Sequence, residues 1–268
     1  THKPVLQRIL IVAAGPVFNL LLAVLIFYGL FLVRGTGILK PVIGEVQADM
    51  PAQAAGLSAG DRVVSLNGQP VEAWGTMAGM IENSGGRPLT LTVVRDGQQR
   101  QVTVSPRLVE GTTIFGEPKK RYVLGIVASG EVTPIRLGPL TALSESLRQT
   151  WEIIHLTVLG VAKMVSGAVS TKELGGPILI AQLAGKTAQQ GAGSLLAFIA
   201  FISINLAILN FLPIPVLDGG HLLFFTIEAV RRRPVSIRTR EIAQQFGLAV
   251  ILLLMILVFY NDITRLMG

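Results

Sequence analysis

The chain has 268 residues, half of them hydrophobic, only 15% charged, and a formal net charge of +7. Soluble domains carry about 25% charged residues, so the composition points to a membrane component and away from a wholly soluble protein. Cysteine is absent, which excludes disulfides and thiolate metal ligands.

The chain opens Thr-His-Lys-Pro, with neither an initiator methionine nor a signal-peptide pattern, and is expected to be cut from a longer protein. Ile9 to Val33 is 25 residues without a charge, enough to cross a hydrocarbon core of about 30 Å at 1.5 Å per residue. Gly15, Pro16 and Asn19 lie within it, and a plain lipid anchor has no use for them. Lys3 and Arg8 flank one end and Arg34 and Lys40 the other, so charge does not orient this segment, taken as residues 1–36.

Residues 37–107 change character. Leu89 to Val94 and Gln101 to Val104 alternate as strands do. Asn67-Gly68 and Asp96-Gly97 are turn dipeptides that accept positive φ at low cost. Pro51 to Gly56 has proline in its first turn and glycine at its end, the marks of a short helix. Together these give a small β-rich domain. A further strand is expected over Tyr122 to Ala128, within a strand and linker region of residues 108–140. The 41–107 stretch holds six acidic and five basic residues. Nearly neutral, it offers no nucleic-acid footprint.

From Leu143 the apolar positions Leu147, Trp151, Ile154, Val158, Val161 and Val165 recur at steps of 4, 3, 4, 3 and 4, forming one helical stripe. A helix lying on the lipid bilayer fits this pattern, and so does a helix packed on the soluble domain. Residues 141–194 contain that helix. Leu195 to Leu212 is a second uncharged stretch, in a segment of residues 195–230, and Phe246 to Tyr260 a third, in residues 242–268. Between them the run Arg231, Arg232, Arg233, Arg238 and Arg240 marks residues 231–241 as a cytoplasmic loop. Counting back, the β-rich domain lies on the extracytoplasmic side and Thr1 inside. The fold class expected is a multi-pass α-helical membrane protein with an inserted β-rich (α+β) domain.

Asn210-Phe-Leu-Pro-Ile-Pro-Val-Leu-Asp218-Gly-Gly-His221 stands out. An ionisable residue at membrane depth costs at least about 2.5 kcal/mol and marks a functional site by default. Two prolines and two glycines also free backbone groups that a membrane tolerates only beside protein or a water-filled cavity. Such a carboxylate suits a metal, a proton relay or an ion. Equally, Asp218 suits a cap for a helix beginning at Gly219, and spacing alone does not choose.

Asn210 to His221 resembles the NxxPxPxLDGGH motif of the site-2 protease family of intramembrane metalloproteases. Ala14 to Asn19 resembles its AGPxxN element, and Leu174 to Ile178 its GPI segment. The resemblance covers essentially the whole chain and is nearest to the bacterial regulator-of-sigma-E protease branch. Met50 to Gly68 resembles the SPAxxAGLxxGDxIxxING signature of bacterial PDZ domains, which makes 37–107 the inserted domain. Such grooves accept an extended peptide as an added strand. Ile43, Gly44 and Val46, in the upstream run Val42 to Val46, are the candidate peptide-binding edge.

The resemblance implies a Zn²⁺ metalloendopeptidase of the bacterial inner membrane. It would cut single-span membrane proteins already shortened on their outer side, with the PDZ domain as filter or dock. Asp218 would be the third zinc ligand. Asn19 and Asn210 would line the site, with helix-to-helix hydrogen bonding as the plainer reading of both. The other two ligands of the family are the histidines of HExxH, and no HExxH exists here. The histidines are His2, His155 and His221, and His221 is expected to stand beside the metal carboxylate rather than to bind metal. This chain is therefore expected to be inactive alone. A non-catalytic, membrane-anchored PDZ adaptor is the alternative.

Overall fold

A computed structural model describes residues 4–113, 115–170, 174–231, 233 and 235–267. His2, Lys3 and Arg232 lie outside the described residues. The chain forms two compact units: a helical one of residues 1–33 and 137–268, and a β-rich one of Arg34–Arg136 inserted into it.

The β-rich unit runs β1 (Thr36–Leu39), β2 (Ile43–Val46), α2 (Pro51–Ala54), β3 (Arg62–Leu66), β4 (Gln69–Pro70), α3 (Trp74–Glu82), β5 (Leu89–Arg95), β6 (Gln98–Val104), β7 (Arg107–Thr112), β8 (Pro118–Val123), β9 (Ile126–Ala128) and β10 (Val132–Ile135). α1, described below, precedes it in the chain. β4-β3-β5-β6 form one antiparallel sheet. Its turns are the two dipeptides read from sequence: Asn67 and Gly68 have φ of 50° and 77°, Asp96 and Gly97 of 50° and 78°. Both pairs match the twist of a tight hairpin. Alternate residues of β5, Leu89, Leu91 and Val93, point into a core with Val63, Leu66, Met77, Ile81 and Leu124.

The expected strand over Tyr122 to Ala128 is two strands. Leu124 and Gly125 interrupt it, with Gly125 at φ 80°. A Cβ on Gly125 would lie 2.2 Å from Cβ of Met50, so only glycine fits. Beyond this break, β9 pairs with β2 and β10 with β1. Those long-range pairings carry the unit to Arg136, past the residue-107 limit set by local pattern.

The helical unit contains α1 (Val5–Arg34), α4 (Pro139–Val165), α5 (Pro177–Gln189), α6 (Ala192–Phe211), α7 (Asp218–Arg231) and α8 (Ile237–Met267). Three of them, α1, α6 and α8, are long and apolar enough to cross a membrane. Ala23 and Phe27 of α1 pack with Ala200 and Ile204 of α6, and Ile153 and Ile154 of α4 join them. The stripe residues Leu147, Trp151, Val158 and Val165 of α4 are exposed. Arg238 and Arg240 fall in the first turn of α8, so the basic run is part loop and part helix. α5 begins at Pro177, and its N-cap Gly176 has no side chain to cap it. Asp262 of α8 supplies the cap: Gly176, Ile178 and Leu179 donate their N–H groups to its carboxylate at 2.9, 2.9 and 3.2 Å.

In the β-rich unit Asp61 is fully buried. It accepts from Nε of Arg95 at 2.6 Å, Nη2 of Arg95 at 2.7 Å and the Ser58 N–H at 2.9 Å. Burial pushes its carboxyl up, but the Arg95 and Ser58 hydrogen bonds together outweigh that and hold it below the ordinary range. A depressed folded value contributes stability that is complete above the unfolded pKa, about 3.9, and is lost as pH falls through the folded value. Asp61→Asn is expected to destabilise this unit by about 3 kcal/mol at neutral pH. It should also flatten its acid dependence below about pH 4. Urea unfolding followed by Trp74 fluorescence in a Trp151→Phe background measures both.

Candidate functional site

The proline-broken segment is a sharp return between α6 and α7. Leu212, which precedes Pro213, has φ −62° and ψ 142°. Proline forces this extended conformation on the residue before it, and α6 ends there. The chain then turns through Pro213–Leu217 and starts α7 at Asp218. The first turn of α7 lies against the end of α6 so closely that a Cβ on Gly219 would be 2.3 Å from the Leu212 carbonyl oxygen. One on Gly220 would be 2.3 Å from that of Ile214. From outside, Gly247 of α8 packs on Pro215 and Val216. Both glycines after Asp218 are thus required by space.

This return presents Asp218 to α1. A Cβ on Gly15 would lie 3.2 Å from Oδ2 of Asp218, which brings the Ala14–Asn19 and Asn210–His221 elements together. Asp218 is half-buried. Among the described residues its side chain has no hydrogen-bond or ion-pair partner, so it does not cap the helix it begins. Asn19 lies four residues after Gly15, on the same face of α1. Its backbone carbonyl accepts from Ser203 Oγ of α6 at 2.8 Å. Ser203, Ala207 and Asn210 fall at i, i+4 and i+7, so Asn210 ends the α6 stripe that faces α1. Both amide side chains are half-buried and, among the described residues, neither makes a helix-to-helix hydrogen bond. His221, at i+3 from Asp218, shares its face of α7 and is half-buried, whereas His155 is exposed on α4.

Zinc sites use three or four nitrogen, oxygen or sulfur ligands. Among the described residues no group of three His, Asp or Glu side chains is gathered. Asp218 fits zinc in kind, as a carboxylate without a protein partner, and the set falls short in number.

The β-rich unit has a second candidate site. A groove of about 680 Å³ runs between Leu124–Ala128 and α3, floored by Met77, Ile81, Leu124 and Ile126 and walled by Trp74 and Ala78. On its rim Glu82 pairs with Lys119 at 2.6 Å, and that hydrogen bond and charge hold the Glu82 carboxyl below its ordinary range. β9 pairs with β2 along one edge and with no other named strand along its second. The groove therefore offers a strand edge, but not the one expected. Ile43 is fully buried, its N–H donates to the Asp61 carbonyl and its carbonyl accepts from Gly60, both at 2.8 Å. Gly44 and Val46 belong to the strand that β9 already covers, and a Cβ on Gly44 would sit 2.6 Å from Ser129 Cα. Ile43, Gly44 and Val46, the edge expected from sequence, thus lie on the strand paired with β9, behind the groove strand. Gly125, an isolated glycine inside a strand pattern, was the sequence signal for it.

The fold and the two meeting elements define a membrane-embedded helical protein with an inserted PDZ domain, organised around a carboxylate at a helix break. The chain belongs to peptidase family M50, whose model matches residues 1–254, and is by family a zinc metalloprotease. It is 39% identical over 260 residues to the Mesorhizobium japonicum protein mll0638, provisionally named a zinc metalloprotease, covering 96% of this chain and 71% of that one. To the regulator of sigma-E protease RseP of Salmonella typhimurium it is 39% identical over 234 residues, covering 85% of this chain and 51% of that one. Among solved structures it is similar to the PDZ domain of the SdrC-like protein of Listeria monocytogenes. That likeness is 19% identical with TM-score 0.26, over 35% of this chain and 90% of that one.

The glycine requirement gives a contrast. Gly219→Ala is expected to lower the melting temperature of the detergent-solubilised protein, because a backbone carbonyl must move. Gly185→Ala, where a Cβ meets nothing within 4 Å on α5, should raise stability by about 0.5–1 kcal/mol.

Proposed function

We propose that the chain is part of a site-2-type intramembrane zinc metalloendopeptidase acting in regulated proteolysis, to which it supplies one zinc ligand and the substrate-docking domain. The observation that carries this is the Asp218 carboxylate, without a protein partner among the described residues and held at a helix break against Gly15. Asp218 is read as one zinc ligand, with the other two from an HExxH segment that this chain does not contain. Bound there, zinc supplies a Lewis acid and an acidified water.

The chain's own residues do the rest. Asp218 offers its carboxylate to a metal because, among the described residues, no cap or ion pair competes for it. His221, on the same helix face, is read as standing beside the metal carboxylate rather than binding metal. Asn19 and Asn210 offer amide donors and acceptors for the extended backbone of a locally unwound substrate. The substrate is a single-span membrane protein already trimmed on its outer side.

The Arg231–Arg240 run supports reading that end of α7 and α8 as the cytoplasmic one. The PDZ domain then faces the extracytoplasmic side. Its β9–α3 groove takes a peptide by strand addition, with the apolar floor receiving an apolar side chain. A formed groove together with the missing HExxH also favours a second reading, a membrane-anchored PDZ adaptor without catalysis.

The test joins an HExxH-bearing segment upstream of Thr1 and follows cleavage of a pre-trimmed single-span substrate in detergent. Cutting that is lost on chelation, and reduced at least ~1,000-fold by Asp218→Ala, is the expected result. Full activity in Asp218→Ala overturns the assignment, and no cutting by a zinc-loaded, folded protein favours the adaptor. For the groove, peptides ending in an apolar residue should shift Trp74 fluorescence, and Ala78→Arg should weaken them at least ~10-fold.

A further inference from the structure

Glu228 lies ten residues after Asp218 on α7 and is buried, at 9% exposure. Its Oε1 accepts from Nη2 of Arg8 at 2.8 Å. Its Oε2 accepts from Nη1 of Arg8 at 3.3 Å and from Nη2 of Arg240 at 3.0 Å. The Arg8 guanidinium also lies over the Phe225 ring, 5.0 Å from its centroid. One carboxylate thus joins α1, α7 and α8 at the basic end of the helical unit. Nε of both arginines is buried without an acceptor. The arrangement is costly unless the paired bonds are well made, and removing either partner leaves an uncompensated buried charge.

Two contacts between α7 and α1 give the relative direction of the helices. Arg8 meets Glu228, and seven residues further along α1 Gly15 meets Asp218, ten residues back along α7. The two helices therefore run in opposite directions here. The axial separations are about 10 Å on α1 and about 15 Å on α7 at 1.5 Å per residue, and the long Arg8 side chain spans the difference. The apolar cluster that fixes α1 to α4 and α6 contains no residue of α7. That cluster constrains α7 only indirectly, through its short return from α6, whereas the bidentate ion pair ties α7 to α1 directly. A slip of one helical turn, about 5.4 Å, would carry Asp218 away from Gly15.

We infer that the Arg8–Glu228 pair is a register lock that positions the Asp218 carboxylate against Gly15. Both are positioning residues, and their bearing on the metal chemistry rests on the reading of Asp218 given above. Arg240 has a different part: it ties the same carboxylate to α8 and leaves the α1–α7 register to Arg8.

The register is read directly by disulfide formation between Gly15→Cys and Asp218→Cys in the membrane-inserted full chain, which has no cysteine of its own. Arg8→Gln or Glu228→Gln is expected to lower the cross-linked fraction about tenfold. Arg8→Lys, which keeps the charge, should restore most of it, and Arg240→Gln should leave it near the starting level. Equal yields in all variants overturn the lock. So does a loss that Arg8→Lys does not restore, or an equal loss in Arg240→Gln, since either marks general loosening of the fold. The readout involves no zinc and no cleavage, so it stands or falls separately from the assignment of Asp218 as a metal ligand.

Discussion

Close backbone approach at positions without a Cβ is the constraint on which the helical unit depends. Gly219 and Gly220 let α7 start against the carbonyls of Phe211, Leu212 and Ile214, and Gly15 leaves room for the Asp218 carboxylate. The prolines at 213 and 215 end α6 and shape the return, while the glycines let the chain come back within a few residues. Protein interiors are packed densely enough that one methyl group at such a point must displace something. A polar side chain is thereby brought close to α1, and among the described residues its oxygens accept no hydrogen bond.

The two units solve opposite problems with charge. Asp61 has three donors and a partly exposed arginine, so its burial is compensated locally, within 34 residues of chain. Glu228 has two arginines from helices 220 and 12 residues away in sequence, and its burial is compensated only when all three helices are in place. The first arrangement stabilises one domain. The second makes a helix assembly self-checking, because a misplaced α1 or α8 leaves a buried charge exposed to its full desolvation cost.

Local chemistry made much of this legible in the sequence. Alternation at Leu89–Val94 and Gln101–Val104 fell within β5 and β6, and Asn67-Gly68 and Asp96-Gly97 took left-handed φ as their residue types require. The three long apolar stretches became α1, α6 and α8. Long-range facts were hidden. That β9 lies beside β2 depends on a pairing between Ile43–Val46 and Ile126–Ala128 that no local period reports. α3, which walls the groove, carries too weak an apolar pattern to be seen beside its neighbours. Glu228 was visible only as one acid in a mostly apolar run, and its partner at Arg8 stands at the far end of the chain. For the candidate site, the resemblance grouped the Gly15 and Asp218 elements, while the contact between them is a property of the folded helices.

The capping of α5 by Asp262 has a consequence for how the molecule comes into being. Gly176 offers its N–H to an acceptor 86 residues downstream, so a chain emerging from the ribosome has made α5 long before the group that completes it exists. Until α8 is present, the N–H groups of Gly176, Ile178 and Leu179 must find other partners, such as water. The start of α5 is therefore completed by a residue made 86 positions later in the chain, and that helix end is finished only once α8 is in place.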